Sequence, residues 1–222
     1  MRNHLSLKMR KPILVLMTRW PAPKRCKTRL SKDIGPYKAA RIQRQLTNHT
    51  IAVAKKLSEK GILDIKLAVD GIGNKKIATW ARSKGISQAG AQGLGNLGVK
   101  MKRQLVLAQR KSSAGRAEPR DTILIGTDVP SLCQSDIDSA VNYLARNDLV
   151  IGPAKDGGYW LIAFSKNILS PIISWPFTGI NWGTSSVFKE TLRRADLEGL
   201  KHKSIVKRSD LDVEADLFSW HS

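Results

Sequence analysis

The sequence predicts one α/β domain: a Rossmann-like, mixed but mostly parallel sheet with helices on both faces. Two observations lead to this prediction. Short apolar runs typical of buried strands alternate with amphipathic helical stretches along the chain. At 222 residues and 41% hydrophobic content, with no Pro, Gly or Ser-rich linker, the chain suits one core rather than two. We expect residues 1–11 to be a flexible segment and residues 12–222 to form the domain.

The first half of the chain begins the alternation. Ile13–Met17 is an apolar run typical of a buried strand. Gly35-Pro36 opens a long helix predicted at 37–60, which Gly61 ends. The next elements predicted are a strand at 65–69, a helix at 75–84, a strand at 86–89, a helix at 99–110 and an exposed loop at 112–120.

The second half of the chain continues the alternation of strands and helices. A strand at 122–126 precedes a helix capped by Ser135 or Asp136 that ends at 146, and then a strand at 149–151. Asp156-Gly157-Gly158 predicts a hairpin-like turn into a strand at 158–164, the antiparallel member of the sheet. The remaining predictions are a loop at 167–182, a helix capped by Thr184 or Ser185 that ends at 193, a short strand at 205–206 and a terminal helix at 213–220.

Charge is distributed unevenly along the chain, whose formal net charge is +20. Residues 1–120 carry 28 Lys and Arg against 5 Asp and Glu, a net +23, whereas residues 121–222 carry 10 against 13, a net −3. This imbalance suits an anionic ligand, a nucleic acid or an acidic membrane surface. A plain solvated basic surface explains most of the charge equally well.

Cysteine content and hydropathy narrow the class of protein. Cys26 and Cys133 are far apart and lack the spacing of a disulfide framework or a zinc site. No stretch reaches the roughly 18 apolar residues of a membrane span. The apolar run at 13–17 is too short for the core of a signal peptide. We therefore expect a soluble, cytoplasmic protein.

The loop at 19–30 is the most informative segment. It follows the first predicted strand and carries five cations, and open α/β sheets bind ligands at the carboxyl ends of their strands. If the strand at 122–126 is parallel, Asp128 at its end faces these cations across one crevice. Cations opposite a carboxylate suit a metal-bound nucleotide diphosphate or triphosphate. From this motif alone, Asp128 is equally well a Mg²⁺ ligand or a helix cap.

Glycines at 93, 95 and 98 match the spacing of a dinucleotide-binding loop. The match is weak because the preceding strand is poor and the acid expected about 20 residues later is missing. We interpret Gly93 and Gly95 as positions where the backbone approaches a ligand before a helix N-terminus.

Three further segments combine small, polar or acidic residues. The two glycines after Asp156 let the backbone approach a ligand, and Tyr159 adds a ring and a hydroxyl; a plain tight hairpin is the alternative. Trp182-Gly183-Thr184-Ser185 offers N–H and hydroxyl groups to a substrate, or simply starts a helix. The acids of Asp210-Leu211-Asp212 either bind a metal or stabilise the terminal helix, whose N-terminus they precede.

The order of these motifs resembles a known family. It is the glycosyltransferase-A-like family of bacterial proteins associated in some genomes with arsenosugar biosynthesis, in the nucleotide-diphospho-sugar transferase superfamily, itself similar to molybdenum-cofactor and phospholactate guanylyltransferases. Six ordered segments between residues 12 and 218 carry the resemblance: Pro21-Ala-Pro23 with Lys27-Thr28-Arg29-Leu30, 92–98 with Met101, 126–130, 152–159, 181–185, and 210–212 with Asp216-Leu217. Three residues depart from the family pattern: Lys24 replaces a glycine, Asn96 an Asp, and Glu214 a proline.

The resemblance implies a nucleotide-diphospho-sugar transferase, or glycosyltransferase-A, fold and an enzyme that transfers a sugar from an activated nucleotide to a small-molecule acceptor. It implies that Lys27 and Arg29 hold the diphosphate, that Mg²⁺ or Mn²⁺ binds Asp128 and Asp212, and that Asp156 positions the acceptor or acts as general base. The residues implied on the acceptor or sugar side are Gly157, Gly158, Tyr159, Gly183, Thr184 and Ser185.

Two other functions compete with this interpretation. In nucleotidyl transfer, a nucleoside triphosphate reacts with a phosphorylated acceptor and releases pyrophosphate, and the same loop and metal would serve. A nonspecific nucleic-acid-binding protein would use the basic half directly. That half has only Trp20, Tyr37 and Trp80 as aromatics and no recognised binding motif, so we expect no specific nucleic-acid partner.

Overall fold

The structure is a computed structural model that describes residues 10–109, 119–168 and 175–218. The flexible segment predicted at 1–11 lies outside these residues except for its last two positions, and the loop predicted at 112–120 lies outside except for 119–120. Parts of the predicted loop at 167–182 and of the terminal helix at 213–220 also lie outside.

Seven strands form one sheet within the described residues. They are β1 Ile13–Arg19, β2 Asp64–Asp70, β3 Gln88–Ala91, β4 Thr122–Gly126, β5 Leu149–Pro153, β6 Tyr159–Phe164 and β7 His202–Ser204. Their order in the sheet is β3-β2-β1-β4-β6-β5-β7. Of these strands only β6 is antiparallel to its neighbours, and the remaining pairs are parallel. The predicted mixed, mostly parallel sheet is therefore confirmed, as is the antiparallel strand after the Asp156 turn.

Helices cover both faces of the sheet, as predicted. Alternate residues of β1 point to opposite faces, so Leu14 and Leu16 pack against one helical layer and Ile13 and Val15 against the other. The helices of the described residues are α1 Leu30–Ile34, α2 Pro36–Glu59, α3 Asn74–Ser83, α4 Leu97–Gln109, α5 Gln134–Leu144, α6 Val187–Leu197 and α7 Ala215–Phe218, with a 3₁₀ turn at Lys166–Ile168. The first layer contains α2, α3 and α5, and the second contains α4 and α6.

Two short strands lie elsewhere than predicted. Ile86 belongs to the turn that follows α3 and does not start a strand. Gly85 turns the chain at φ +70°, and the N–H of Ile86 then donates to Ala81 O in the last turn of the helix. The strand follows at Gln88–Ala91 instead of 86–89. The last strand is the polar segment His202–Ser204 rather than 205–206, because it forms an edge of the sheet where apolar residues are not needed.

Two helices also begin differently from prediction. Cys133, not Ser135 or Asp136, caps α5, and Asp136 Oδ2 accepts a hydrogen bond from Cys133 N as the reciprocal half of a capping box. The residue before α6 is Ser186 rather than Thr184 or Ser185. Thr184 Oγ1 instead donates to Asn181 O and fixes the preceding turn.

The point where the chain changes direction across the sheet lies between β1 and β4. From β1 the chain adds β2 and β3 on one side, and it returns to place β4 on the other. Met17 is in register with Gly126, so the loops after both strands leave the same edge. Such a crevice is where open α/β sheets bind ligands. In the described part of the chain, no helix has the length and apolar character needed to cross a membrane.

Candidate active site

A cleft of about 480 Å³ opens at the carboxyl ends of β1 and β4, within the usual size range of small-molecule sites. One wall is the basic loop after β1, defined as residues 19–30. The opposite wall combines the end of β4 with the segment at 210–212. The lining residues are Met17, Thr18, Arg19, Lys27, Thr28, Arg29, Gln43, Gln92, Leu97, Met101, Leu124, Ile125, Gly126, Thr127, Asp128, Val129, Tyr159, Trp160, Ile162, Asp210 and Asp212.

Lys27 lies deep in this cleft, with only 4% of its side chain exposed. Its Nζ donates to Leu211 O and lies 2.7 Å from Asp128 Oδ1. Leu211 N in turn donates to Asp128 O at 2.8 Å. Lys27 therefore joins the basic loop, the end of β4 and the C-terminal segment through one ammonium group.

Asp128 does not cap a helix. The next helix, α5, begins six residues later at Gln134, and Asp128 Oδ1 accepts no hydrogen bond from the described residues although that atom is buried. Its contact with Lys27 is thus an ion pair without hydrogen-bond geometry. The capping alternative is removed, and the Asp128 side chain, which is 46% exposed, lines the cleft.

Arg29 and Asp212 form a second ion pair at the rim of the cleft. Arg29 Nη1 lies 2.8 Å from Asp212 Oδ2, and the two side chains are 73% and 45% exposed. Capping of the last helix belongs to Asp216, whose Oδ2 accepts from the N–H groups of Asp212 and Val213. The Asp212 carboxylate is therefore directed to the cleft rather than to the helix.

Asp210 is one of the two acids for which the sequence left metal binding and stabilisation of the terminal helix open. Its Oδ1 is buried and has no hydrogen-bond partner among the described residues. Burial, followed by repulsion from Asp128 and Asp156, raises the pKa of Asp210 to about 7; Lys27 opposes this shift and Asp212 adds to it. Three carboxylates and Lys27 thus act electrostatically on Asp210.

No group of three or more His, Cys, Asp or Glu side chains among the described residues is placed to hold a metal by itself. Mg²⁺, however, is commonly bound by one or two carboxylates, with water and substrate phosphates as the other ligands. Asp128 and Asp210 each have a buried oxygen that accepts no hydrogen bond from the described residues, although the Asp128 oxygen is ion-paired with Lys27. These donors fit a cation that arrives with a phosphate ligand.

Gly93 and Gly95 lie in the loop between two lining residues, Gln92 and Leu97, but do not themselves line the cleft. Their φ angles of +80° and +114° explain why glycine is needed there. Arg103 donates to the backbone carbonyls of Gln92 and Leu94, holding the loop in this path. A phosphate-binding role for the two glycines stays a prediction.

Two contacts join the two segments predicted for the acceptor side. Gly157 packs directly on the backbone of Ser185, where a Cβ atom would overlap it, and Phe188 N donates to Gly157 O at 2.9 Å. The Tyr159 ring meets Trp182 edge to face, with centroids 6.4 Å apart. Burial raises the pKa of Tyr159, so its hydroxyl stays neutral.

Of these acceptor-side residues, only Tyr159 lines the cleft. Asp156 Oδ1 accepts a hydrogen bond from Gly158 N at 2.9 Å, which fixes the turn beside the cleft. Gly183 has φ +83° with open space around it, whereas Thr184 and Ser185 lie in the turns before α6. Contacts of these residues with a substrate stay predictions.

A buried polar network in the wall of the cleft was missed from the sequence. Gln43 and Thr47 of α2 reach Thr18 and Thr127, which end β1 and follow β4. Thr127 Oγ1 donates to Thr18 Oγ1 at 3.0 Å, and Gln43 Nε2 lies 3.3 Å from Thr127 Oγ1. The sequence signal that could have revealed this network is the spacing of Gln43 and Thr47, two polar residues four positions apart on the buried face of α2.

Comparison with known proteins supports a transferase fold. A family profile described as "Uncharacterized protein conserved in bacteria (DUF2064)" matches residues 52–184. A crystal structure from Desulfovibrio desulfuricans, provisionally assigned as a nucleotide-diphospho-sugar transferase, superposes with a TM-score of 0.78 at 26% identity, covering 92% of this chain and 84% of that one.

A more distant structure has the same fold. The 4-diphosphocytidyl-2C-methyl-D-erythritol synthase of Anaerococcus prevotii superposes with a TM-score of 0.59 at 11% identity, covering 96% of this chain and 97% of that one. A search of curated proteins gave no match. The fold predicted from the ordered motifs is therefore confirmed.

Proposed function

Because the chain belongs to the bacterial family DUF2064 and has the fold of a nucleotide-diphospho-sugar transferase, we propose that it transfers a sugar from a nucleotide-activated donor to a small-molecule acceptor. The observation that carries the proposal is the composition of the cleft. Two cations of one loop face the carboxylates of Asp128 and Asp212 at the switch point of the sheet. A diphosphate with a divalent ion has the complementary charges.

Each charged residue of the cleft has its own role in this proposal. Lys27 and Arg29 bind the diphosphate, while Asp128 and Asp212 hold Mg²⁺ or Mn²⁺, with Asp210 beside them. When bound, the ion supplies charge neutralisation for the leaving nucleotide diphosphate. Fixed cations in a cleft stabilise that developing charge without reorganising at the moment of reaction.

The acceptor side lies at the hairpin turn before β6. Asp156 positions the acceptor hydroxyl or takes its proton, and one of its oxygens is already oriented by Gly158 N. Gly157 and Gly158 let the acceptor approach the backbone, and Tyr159 forms part of the wall. Gly183, Thr184 and Ser185 contact the acceptor or sugar from the segment that packs on Gly157.

Nucleotidyl transfer is the second candidate. A third cation, Arg19, also lines the cleft, so its positive charge suffices for a triphosphate as well as a diphosphate. In that reaction a phosphorylated acceptor attacks the nucleotide and pyrophosphate leaves. The released product separates the candidates: a nucleoside diphosphate for sugar transfer, and pyrophosphate for nucleotidyl transfer.

A thermal-shift panel tests ligand binding directly. Nucleoside triphosphates and nucleotide sugars are each added with Mg²⁺ or with chelator. A ligand at about 100 times its Kd stabilises a protein by about 2.7 kcal/mol, which raises Tm by roughly 5–10 °C for a chain of this size. A panel in which no nucleotide raises Tm in the presence of Mg²⁺ contradicts both transferase proposals.

A further inference from the structure

The cleft has its anion-binding and metal-binding groups already paired with each other. Lys27 pairs with Asp128 at 2.7 Å, and Arg29 pairs with Asp212 at 2.8 Å. In each pair the cation comes from the basic loop and the carboxylate from the opposite wall. Two ion pairs thus connect the two walls of the cleft.

These pairs oppose the binding of either ligand alone. A metal ion that takes Asp128 without a phosphate leaves the ammonium of Lys27, which is 4% exposed, without its counter-charge. A phosphate that takes Arg29 without a metal leaves Asp212 near Asp210 without its counter-charge. Each ligand by itself converts a neutral pair into one satisfied charge and one uncompensated charge.

We propose that the cleft binds by exchange of ion-pair partners and therefore takes the divalent ion and the phosphate ligand as one unit. The carboxylates turn from the cations to the metal, while the cations turn from the carboxylates to the phosphates. All four charges then keep an opposite partner. This proposal rests on the function proposed above, and the coupling it creates is reciprocal: metal and phosphate raise each other's affinity by the same factor.

The two ion pairs contribute differently to the coupling between metal and phosphate binding. Lys27 and Asp128 are also linked through Leu211, whose carbonyl accepts from Lys27 and whose N–H donates to Asp128 O. Nζ has three donors and the Leu211 bond uses one, so Lys27 can turn to a phosphate without leaving its site. The exposed Arg29–Asp212 pair is screened by water and contributes less.

The exposed pair gives the sharper test because neither side chain supports the core. Arg29→Gln removes the competitor of the metal at Asp212, so Mn²⁺ alone binds about 2- to 5-fold more tightly. Asp212→Asn removes the competitor of the phosphate at Arg29, so inorganic pyrophosphate in chelator binds about 2- to 5-fold more tightly. With Mg²⁺ and pyrophosphate together, both variants bind more weakly than the wild type.

Arg19→Gln is the matched control. Arg19 lines the same cleft and carries the same charge, and no ion pair of the described residues involves it. If removal of any nearby cation strengthened Mn²⁺ binding, this variant would gain as much as Arg29→Gln. Under partner exchange, the gain for Arg29→Gln clearly exceeds that for Arg19→Gln.

The measurements are Mn²⁺ binding by electron paramagnetic resonance and pyrophosphate binding by calorimetry, on the full chain. Lys27→Met, which keeps the length of the buried side chain, is a second variant and raises the affinity for Mn²⁺ alone by about tenfold. Wild-type protein in which Mn²⁺ and pyrophosphate bind independently overturns partner exchange and leaves the proposed function standing. Wild-type protein that binds neither ligand, alone or together, overturns both.

Discussion

The proposal of a metal-dependent transferase depends most on Asp128. We predict that Asp128→Asn abolishes Mg²⁺-dependent nucleotide binding and lowers turnover by about 10²- to 10³-fold, because the amide keeps the shape of the side chain but lacks the charge that a hard cation requires. The measurements are nucleotide affinity with Mg²⁺ and with chelator, and turnover. Asp138→Asn, in α5 and outside the cleft, removes the same charge and should change neither. Full activity of Asp128→Asn would argue for a metal-independent reaction.

Asp210 predicts a distinctive pH dependence of stability in the metal-free protein. The folded protein holds the Asp210 proton more tightly than the unfolded chain, because its pKa is raised from 3.8 to about 7 by burial and by Asp128, Asp156 and Asp212 against Lys27. This stabilisation is complete below pH 3.8 and is lost as the pH rises through 7. A shift of this size corresponds to about 4 kcal/mol.

Asp210→Asn removes that pH dependence because the amide does not titrate. In chelator, urea unfolding should show the variant gaining stability relative to the wild type between pH 5 and pH 8. Asp138→Asn again serves as the control. A difference between Asp210→Asn and the wild type that is the same at both pH values would show that Asp210 ionises normally.

How much the sequence predicted differs from residue to residue. Asp128 and Lys27 could be placed in one crevice because parallel strands present their carboxyl ends at one edge. The pairing of Lys27 with Asp128 could not be predicted from sequence patterns. Lys27 adopts φ +47°, a conformation that is uncommon for a residue other than glycine. Lys24 likewise has a left-handed backbone, at φ +63°. Asn96 accepts a hydrogen bond from Val99 N, a contact that an Asp could also make.

At the scale of elements, the hairpin turn before β6 is locked to the start of α6. Gly157 has φ +90° and leaves no room for a Cβ beside Ser185, while its carbonyl accepts from Phe188 N. The predicted turn and the predicted start of a helix were read from separate motifs. Their contact is tertiary, so the local patterns that indicated each of them could not reveal it.

Gly157→Ala should therefore lower stability more than backbone strain alone explains. A left-handed alanine costs about 1–2 kcal/mol, and overlap with a packed backbone adds about 1–3 kcal/mol. Gly199→Ala is the matched control, because Gly199 follows α6 at φ +65° but has no atom within 4 Å of the added Cβ. Equal losses of stability in the two variants, measured by urea unfolding, would show that the contact with Ser185 relaxes freely.

Short edge strands were the least predictable elements. The apolar residues Ile86 and Ile205 suggested strands, but Ile86 closes a helix and Ile205 follows β7. The actual strands at Gln88–Ala91 and His202–Ser204 lie at the two edges of the sheet, where one side is exposed and apolar patterning fades. The central strands, buried on both faces, were found because their apolar runs are continuous.

At the scale of the whole molecule, the charge division of the sequence coincides with the division of the sheet. Residues 1–120, with a net +23, build β3, β2 and β1, and residues 121–222, with a net −3, build β4 to β7. The cleft lies where the two halves meet. The boundary thus places cations on one wall and carboxylates on the other, which is the arrangement that a metal-bound phosphate requires.

The same basic half predicts weak, nonspecific attraction to nucleic acid. Cations without residues that read bases can only neutralise phosphates, so affinity for duplex and single-stranded DNA should not depend on sequence. With about six phosphate contacts, affinity should fall roughly a thousandfold between about 50 and 200 mM salt. Fluorescence anisotropy with labelled oligonucleotides of two unrelated sequences measures both effects, and nucleotide binding in the cleft serves as the internal comparison because a partly enclosed site is screened less. Tight binding that prefers one sequence and persists at the higher salt would make nucleic acid, rather than a nucleotide donor, the natural ligand of this protein.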